Sequence, residues 1–191
     1  MRRFTCFLGL AACWIIGGPA QPQAGRADEP LTILFAGDIM LDGGPGHAIR
    51  RGVDPFAEFA GLLAAADVTV GNLECVIATQ GRVAHKPYTF RGPTQALPLL
   101  QRHFDGLSIA NNHTLDFGVE GFVGQLEFLE QGRLPTFGGG RNLTVARTPW
   151  LVERRGKRIA FLGYNGFHPE ESAATETTAG VAPLDVELIL A

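Results

Sequence analysis

The stretch "DGLSIANNHTLDFG", residues 105–118, decides the fold. Its apolar β-type run gives way at once to two asparagines, a histidine and an aspartate. Such residues are poor strand formers and belong to the loop that follows. Loops at strand ends are where scaffolds carry chemistry. A plain polar turn would explain one such junction, so the decision rests on whether others share its design. Two do. "LTILFAG", residues 31–37, is an almost unbroken apolar run and reads as a strand buried on both faces. It ends in "AGDIMLD", with Asp38 at its carboxyl tip. "DVTVGN", from Asp67, is a second strand and ends in "VGNLE", with Asn72 and Glu74 at its tip. The third tip supplies Asn111, Asn112, His113 and Asp116. Gly37, Gly71 and Ala110 precede the polar groups and permit close backbone approach.

Between the first two strands, "DPFAEFAGLLAAA" (residues 54–66) sets Phe56, Phe59, Leu62 and Leu63 at helical spacing. A strand, a helix and a strand make a parallel βαβ unit. The chain is therefore an α/β protein with a mostly parallel N-terminal sheet. Residues 76–94 show no clear periodicity and read as a long loop. "TQALPLLQRHF" is a short helix with Pro98 near its first turn, and "VEGFVGQLEFLEQG" a longer one with Phe122, Leu126 and Leu129 on one face. "RLPTFGGG" gives a fourth strand. "VARTPWLVERRGKRIAFLGYN" reads as a hairpin turning at Arg155-Gly156-Lys157, and "PLDVELILA" as the start of a helix.

In a parallel sheet all carboxyl ends lie on one edge, where open α/β proteins bind ligands. Each residue also has a plain structural use. Asp38 serves equally as a helix cap, Asn112 as an Asx turn and His113 as a core histidine. Glu74 is harder to explain, because an unpaired buried carboxylate is costly. Together, carboxylates, an amide oxygen and an imidazole at three tips suit a divalent metal that prefers oxygen and nitrogen.

The chain has 191 residues, enough for one domain with a self-sufficient core, and a net charge of -3. It opens with "MRRFTCFLGLAACWIIGG", a basic tip and a short apolar run with the grammar of a secretory leader. Residues 1–27 are read as a signal peptide cleaved after Ala24 or Ala27. "LAAC" offers the alternative of a lipoprotein anchored through Cys13, against which the apolar "WII" that follows speaks. Removing the leader takes Lys plus Arg from 16 to 13 against 19 acids, a net charge of -6. An acidic exported protein of the periplasm or cell envelope is a poor candidate for nucleic-acid binding. Only Cys75 then remains, so no internal disulfide forms.

"FAGDIML", "GNLEC" and "ANNHTLDFG" resemble the signature of the CapA family, the poly-γ-glutamate capsule biosynthesis proteins, whose domain is similar to the calcineurin-like metallophosphatases. The resemblance covers residues 31–191 and implies a layered α/β sandwich. It also implies a metal-dependent phosphoesterase-like site using Mn, Fe, Zn or Mg. By that resemblance Asp38, Glu74 and Asn112 are metal ligands, with Asn72 a neighbour of the bridging position. His113 is the phosphate-facing acid and Asp116 orients it. Met40 stands where the metallophosphatases carry a histidine, so Asp42 or His47 would have to substitute. The family's later His-Trp-Gly and Gly-His-His-Pro-His elements are absent, which implies a C-terminal truncation and an incomplete fold and site. Such a chain is expected to expose apolar surface and an unpaired sheet edge, and to be poorly soluble alone. The implied partners are an anionic exopolymer or phosphoester substrate and a capsule-synthesis membrane complex. A non-enzymatic accessory role in polymer tethering or export is the alternative.

Other motifs are weaker. "FGGGRN" (137–142) lacks a Walker lysine and reads as a glycine-rich turn. Arg147, Arg154, Arg155, Lys157 and Arg158 form a basic cluster whose default is a solvated turn and whose alternative is contact with a polyanion. Cys75 reads as a small buried residue, and His85 and His168 as loop histidines.

Overall fold

The computed structural model describes residues 30–190. The expected leader, with its cleavage position and Cys13, lies outside the described residues. Strands β1 (Ile33–Ile39), β2 (Val68–Leu73), β3 (Gly106–Ser108) and β4 (Thr136–Phe137) form one all-parallel sheet in the order β1-β2-β3-β4. Helices α1 (Gly43–Arg50) and α2 (Ala60–Ala64) connect β1 to β2, α3 (Leu97–His103) precedes β3, and α4 (Gly118–Gln131) precedes β4. This is the expected α/β architecture with parallel strands and interleaved helices. The chain continues through β5 (Gly139–Gly140), α5 (Leu143–Ala146), β6 (Trp150–Arg154), β7 (Lys157–Phe161), α6 (Pro169–Ser172), β8 (Gly180–Val181) and α7 (Val186–Leu190).

Both faces of the sheet's centre are covered, by different elements. Toward the helices, Ile39, Leu73, Leu107 and Ile109 pack with Leu100 of α3 and with Phe122 and Leu129 of α4. The α4 residues Phe122, Gln125 and Leu129 recur at helical spacing, which buries one stripe of the helix. Toward the other side, Val68, Val70 and Phe137 meet the β6–β7 hairpin through Trp150 and Phe161, whose rings stack at 5.0 Å. Val68 and Val70 are fully buried, which stabilises the fold by roughly 1.5–3 kcal/mol each. Gly106 in β3 lies directly beneath Trp150, and a Cβ there would come within 2.5 Å of the indole. The hairpin turns at Arg155-Gly156 with φ of 52° and 72°, the paired left-handed residues of a tight hairpin.

Four elements differ from the sequence reading. β1 is an edge strand rather than one buried on both faces: residues 35–38 are exposed, and Phe35 is 71% exposed, because β1 pairs only with β2. Its ladder also shifts register between Phe35 and Asp38, so that Asp38 pairs with Asn72. The helix expected over 54–66 is a 3-10 turn at Ala57–Phe59 followed by the short α2, with Phe59 and Leu62 exposed. Helix α1 has no counterpart in the sequence reading; Asp42 caps it by accepting from Gly43 N–H. The single strand expected over 133–140 is broken at Gly138, φ +84°, into β4 of the main sheet and β5, which pairs antiparallel with β8. The exposed apolar edge forms a groove of about 430 Å³ lined by Leu34, Phe35, Phe56, Phe59 and Phe104 among others.

Residues 76–94 do form a long excursion, but a fixed one. Val76 N–H donates to Phe90 O and Gly92 N–H to Val76 O, both at 3.0 Å, so the segment leaves the β2 tip and returns to it. Buried Gln125 of α4 accepts from Ile77 N–H at 2.6 Å and holds its base.

Candidate functional site

The three strand tips meet. Asp38 at the end of β1 and Asn72 in β2 are register partners, and Asn72 Nδ2 donates to Asp38 Oδ1 at 2.9 Å. The same amide also donates to Glu74 Oε2, so it stands between two carboxylates. Burial pushes the Glu74 carboxyl above the usual range and the charge of Asp38 pushes it the same way, against the opposing pull of His113 and Asn72. His113 Nε2 lies 4.0 Å from Glu74 Oε1. Two acids held together with little compensating charge make a place that a cation would relieve.

The β3 tip is a rigid loop. Thr114 Oγ1 donates to Ile109 O at 2.7 Å, and His113 N–H donates to Asn111 Oδ1 at 3.0 Å, closing an Asx turn. Asn111 Nδ2 donates to Asn72 Oδ1 at 3.0 Å and to Leu73 O at 2.9 Å, bolting the third tip to the second. His113 Nδ1 lies 2.8 Å from Asp116 Oδ2, and Asp116 is completely buried.

Asp38, Asn72, Glu74, His113 and Asp116 are thus joined in one chain of contacts. Asn112 stands apart from that chain: its carbonyl accepts from Lys86 Nζ at 2.8 Å, while the residue lines a neighbouring cavity of about 280 Å³ with Lys86, His168 and Glu171. Asp42 uses both carboxylate oxygens structurally, on Gly43 N–H at 2.6 Å and Arg91 N–H at 3.0 Å. His47 is exposed on α1 and makes no hydrogen bond or ion pair among the described residues. Met40 curls back to accept from Asp42 N–H at 3.2 Å. Three residues escaped the sequence reading as site elements. Asn111 is the amide that joins the tips, and Lys86 and Phe90 arrive from the excursion. Only the out-of-pattern lysine and aromatics of "HKPYTF" hinted at the last two.

The donor set fits a hard divalent cation in type through its two carboxylates, but not in number. The Asn72 amide turns its nitrogen toward them, and its oxygen accepts from Asn111. Among the described residues, no third carboxylate, imidazole or thiolate joins Asp38 and Glu74 at ligand distance. The one such trio is His168, Glu170 and Glu171, all exposed on and beside α6. The basic cluster is partly neutralised, Arg155 pairing with Asp67 at 2.7 Å and Arg154 with Asp105 at 3.2 Å. In "FGGGRN", Asn142 caps α5 by accepting from Val145 N–H, a structural use.

Residues 32–187 match the family described as bacterial capsule synthesis protein PGA_cap. The PGA biosynthesis protein CapA of Bacillus subtilis is 28% identical over 86% of this chain and 45% of its own length. The capsule biosynthesis protein CapA of Bacillus anthracis is 24% identical over 95% of this chain and 46% of its own. A probable polyglutamine synthesis accessory protein of Mycobacterium tuberculosis is 32% identical over 83% of this chain and 52% of its own. The chain spans about half the length of these curated relatives. With the family match running along nearly all of the described chain, the protein belongs to the bacterial capsule synthesis family PGA_cap.

Proposed function

We propose that the strand-tip cluster is a metal-dependent phosphoester-hydrolysing site, and that the protein serves, after export to the cell envelope, in the biosynthesis of an anionic polymer of the poly-γ-glutamate kind. The family and the names of its relatives support the polymer. The observation that carries the chemistry is the pair Asp38 and Glu74, held face to face through Asn72, with the His113 imidazole beside them. Asp38 and Glu74 would hold a divalent ion such as Mn, Fe, Zn or Mg, while the Asn72 amide, whose nitrogen faces both carboxylates, orients them. Such an ion supplies an activated water and neutralises phosphate charge. His113, its Nδ1–H held by Asp116, directs Nε2 into the site; protonated on Nε2 as well, the imidazolium can hold a phosphate oxygen or give a proton to the leaving one. Phe90 packs against the ring, centroids 4.4 Å apart and planes tilted by 39°, and covers one of its sides.

The protein with Mn²⁺ should hydrolyse a chromogenic phosphodiester, and Asp38→Asn or His113→Ala should lower kcat by about 10²-fold or more. A second reading, an accessory protein that tethers or exports polymer, draws on the short donor set and on the accessory role in the mycobacterial relative's name. Metal bound without turnover of any phosphoester favours that reading. Absence of both binding and turnover removes the metal site altogether.

A further inference from the structure

The excursion over residues 76–94 brings a cation to the histidine centre that the strand tips do not supply. Lys86 Nζ stands 2.5 Å from Asp116 Oδ1 and donates to Asn112 O at 2.8 Å. The other carboxylate oxygen, Asp116 Oδ2, accepts Phe90 N–H at 2.6 Å and faces His113 Nδ1 at 2.8 Å. Ala84 N–H donates to the Asp116 carbonyl at 2.8 Å, so a third part of the excursion grips the same residue. Asp116 is 0% exposed: its Oδ2 is hydrogen-bonded, while its Oδ1 accepts no hydrogen bond and has the Lys86 ammonium as its one compensating charge, which fixes the carboxylate's orientation. Without the ammonium, Oδ1 would be left buried and uncompensated. The carboxyl group would then be free to turn. A turned carboxylate leaves His113 Nδ1 without the acceptor that holds its proton there, which frees the imidazole proton to move to Nε2.

We propose that Lys86 is a positioning residue of the His113 centre, fixing the Asp116 carboxylate so that the imidazole keeps its proton on Nδ1 and its Nε2 toward Glu74. The catalytic consequence rests on the phosphoester reading above; the effect on the ring does not. A lysine that merely pinned the excursion would loosen residues 82–91 when removed and leave the imidazole as it was. Arg91 provides the comparison, since it pins the same segment through Nη2 to Gln80 O at 2.8 Å and lies over the Phe117 ring at 3.7 Å without touching Asp116.

The test uses metal-free protein with ¹⁵N-labelled histidine, reading the tautomer of His113 from its ring nitrogens, and Mn²⁺-dependent phosphodiester hydrolysis in parallel. The wild type, Lys86→Arg and Arg91→Met should show His113 protonated at Nδ1. Lys86→Met should shift a major fraction to the Nε2–H form and lower kcat by about 10²-fold with KM changed less than about 2-fold. If Lys86→Met does not fold, Lys86→Gln is read in its place. A wild-type ring signature in the charge-free variant overturns the proposal, as does an equal shift in Arg91→Met. A wild type that hydrolyses no phosphoester defeats the phosphoester reading, and the ring signatures still decide the role of Lys86.

Discussion

The adjacent asparagines at the third strand tip should behave differently when each is cut to alanine. Asn111 is 5% exposed and makes four hydrogen bonds: to Asn72 Oδ1, to Leu73 O, from His113 N–H and, at 3.4 Å, from Thr114 Oγ1. In Asn111→Ala the half-buried Asn72 can turn to water, and Thr114 keeps its shorter bond to Ile109 O. Leu73 O and His113 N–H lose a buried partner, and each such group costs about 1–3 kcal/mol. The expected destabilisation is therefore about 2–4 kcal/mol. In Asn112→Ala the carbonyl that receives Lys86 survives, and no side-chain hydrogen bond is lost, so the change should stay within about 0.5 kcal/mol. Urea denaturation reads the difference: with a slope near 2 kcal/mol per M, Asn111→Ala should lower the midpoint by about 1–2 M. An Asn111→Ala protein that unfolds within about 1 kcal/mol of the wild type would refute the bolt. So would an Asn112→Ala protein destabilised to the same degree.

Two further expectations follow from the displaced carboxyl groups. Burial first and Asp38 second hold the Glu74 carboxyl above its usual range, so its ionisation weakens the fold as pH rises through that range. Glu74→Gln should thus stabilise the protein at neutral pH, and lose that advantage below about pH 4. A Glu74→Gln protein less stable at neutral pH would contradict the strain. For Asp54, burial pushes the carboxyl up, but the His103 hydrogen bond at 2.8 Å, Phe56 N–H at 2.9 Å and the charges of His103 and Arg102 outweigh it and leave it depressed. Its stabilisation is present above about pH 4 and lost as pH falls through the lowered value. Asp54→Asn should accordingly cost stability at pH 7 and little at about pH 2 in parallel denaturations, and an equal cost at both would exclude the ionic account.

The apolar runs of β1, β2 and β3 and the α4 stripe were readable from sequence because burial imposes local periodicity. The hairpin turn was equally readable, since Arg155-Gly156 must supply two left-handed residues. What escaped depends on partners distant along the chain. β1 has the composition of an interior strand, yet its exposure follows from its place at the end of the sheet order. Helix α1 is poor in helix formers and is set by its Asp42 cap, so propensity gives no sign of it. At the site, "NN" offers two identical side chains, and only the turn closed on His113 decides that the first reaches Asn72. Lys86 and Phe90 reach Asp116 from 30 and 26 residues upstream, and no spacing rule spans that interval.

The register shift in β1 separates fold from site. Phe35 pairs with Val70 and Asp38 with Asn72, so three steps on one strand match two on the other. The ladder therefore holds one residue more than it needs, with Gly37 in the left-handed region to absorb it. Because the surplus is taken up locally, Leu34 and Ile39 pack against the same helical core although they are five residues apart. Shortening the segment by one residue would leave that alternation intact and make the strand regular. What it would change is the aim of Asp38. The direction of this carboxylate is encoded by chain length as well as by residue identity, and a substitution scan along β1 would never reveal it.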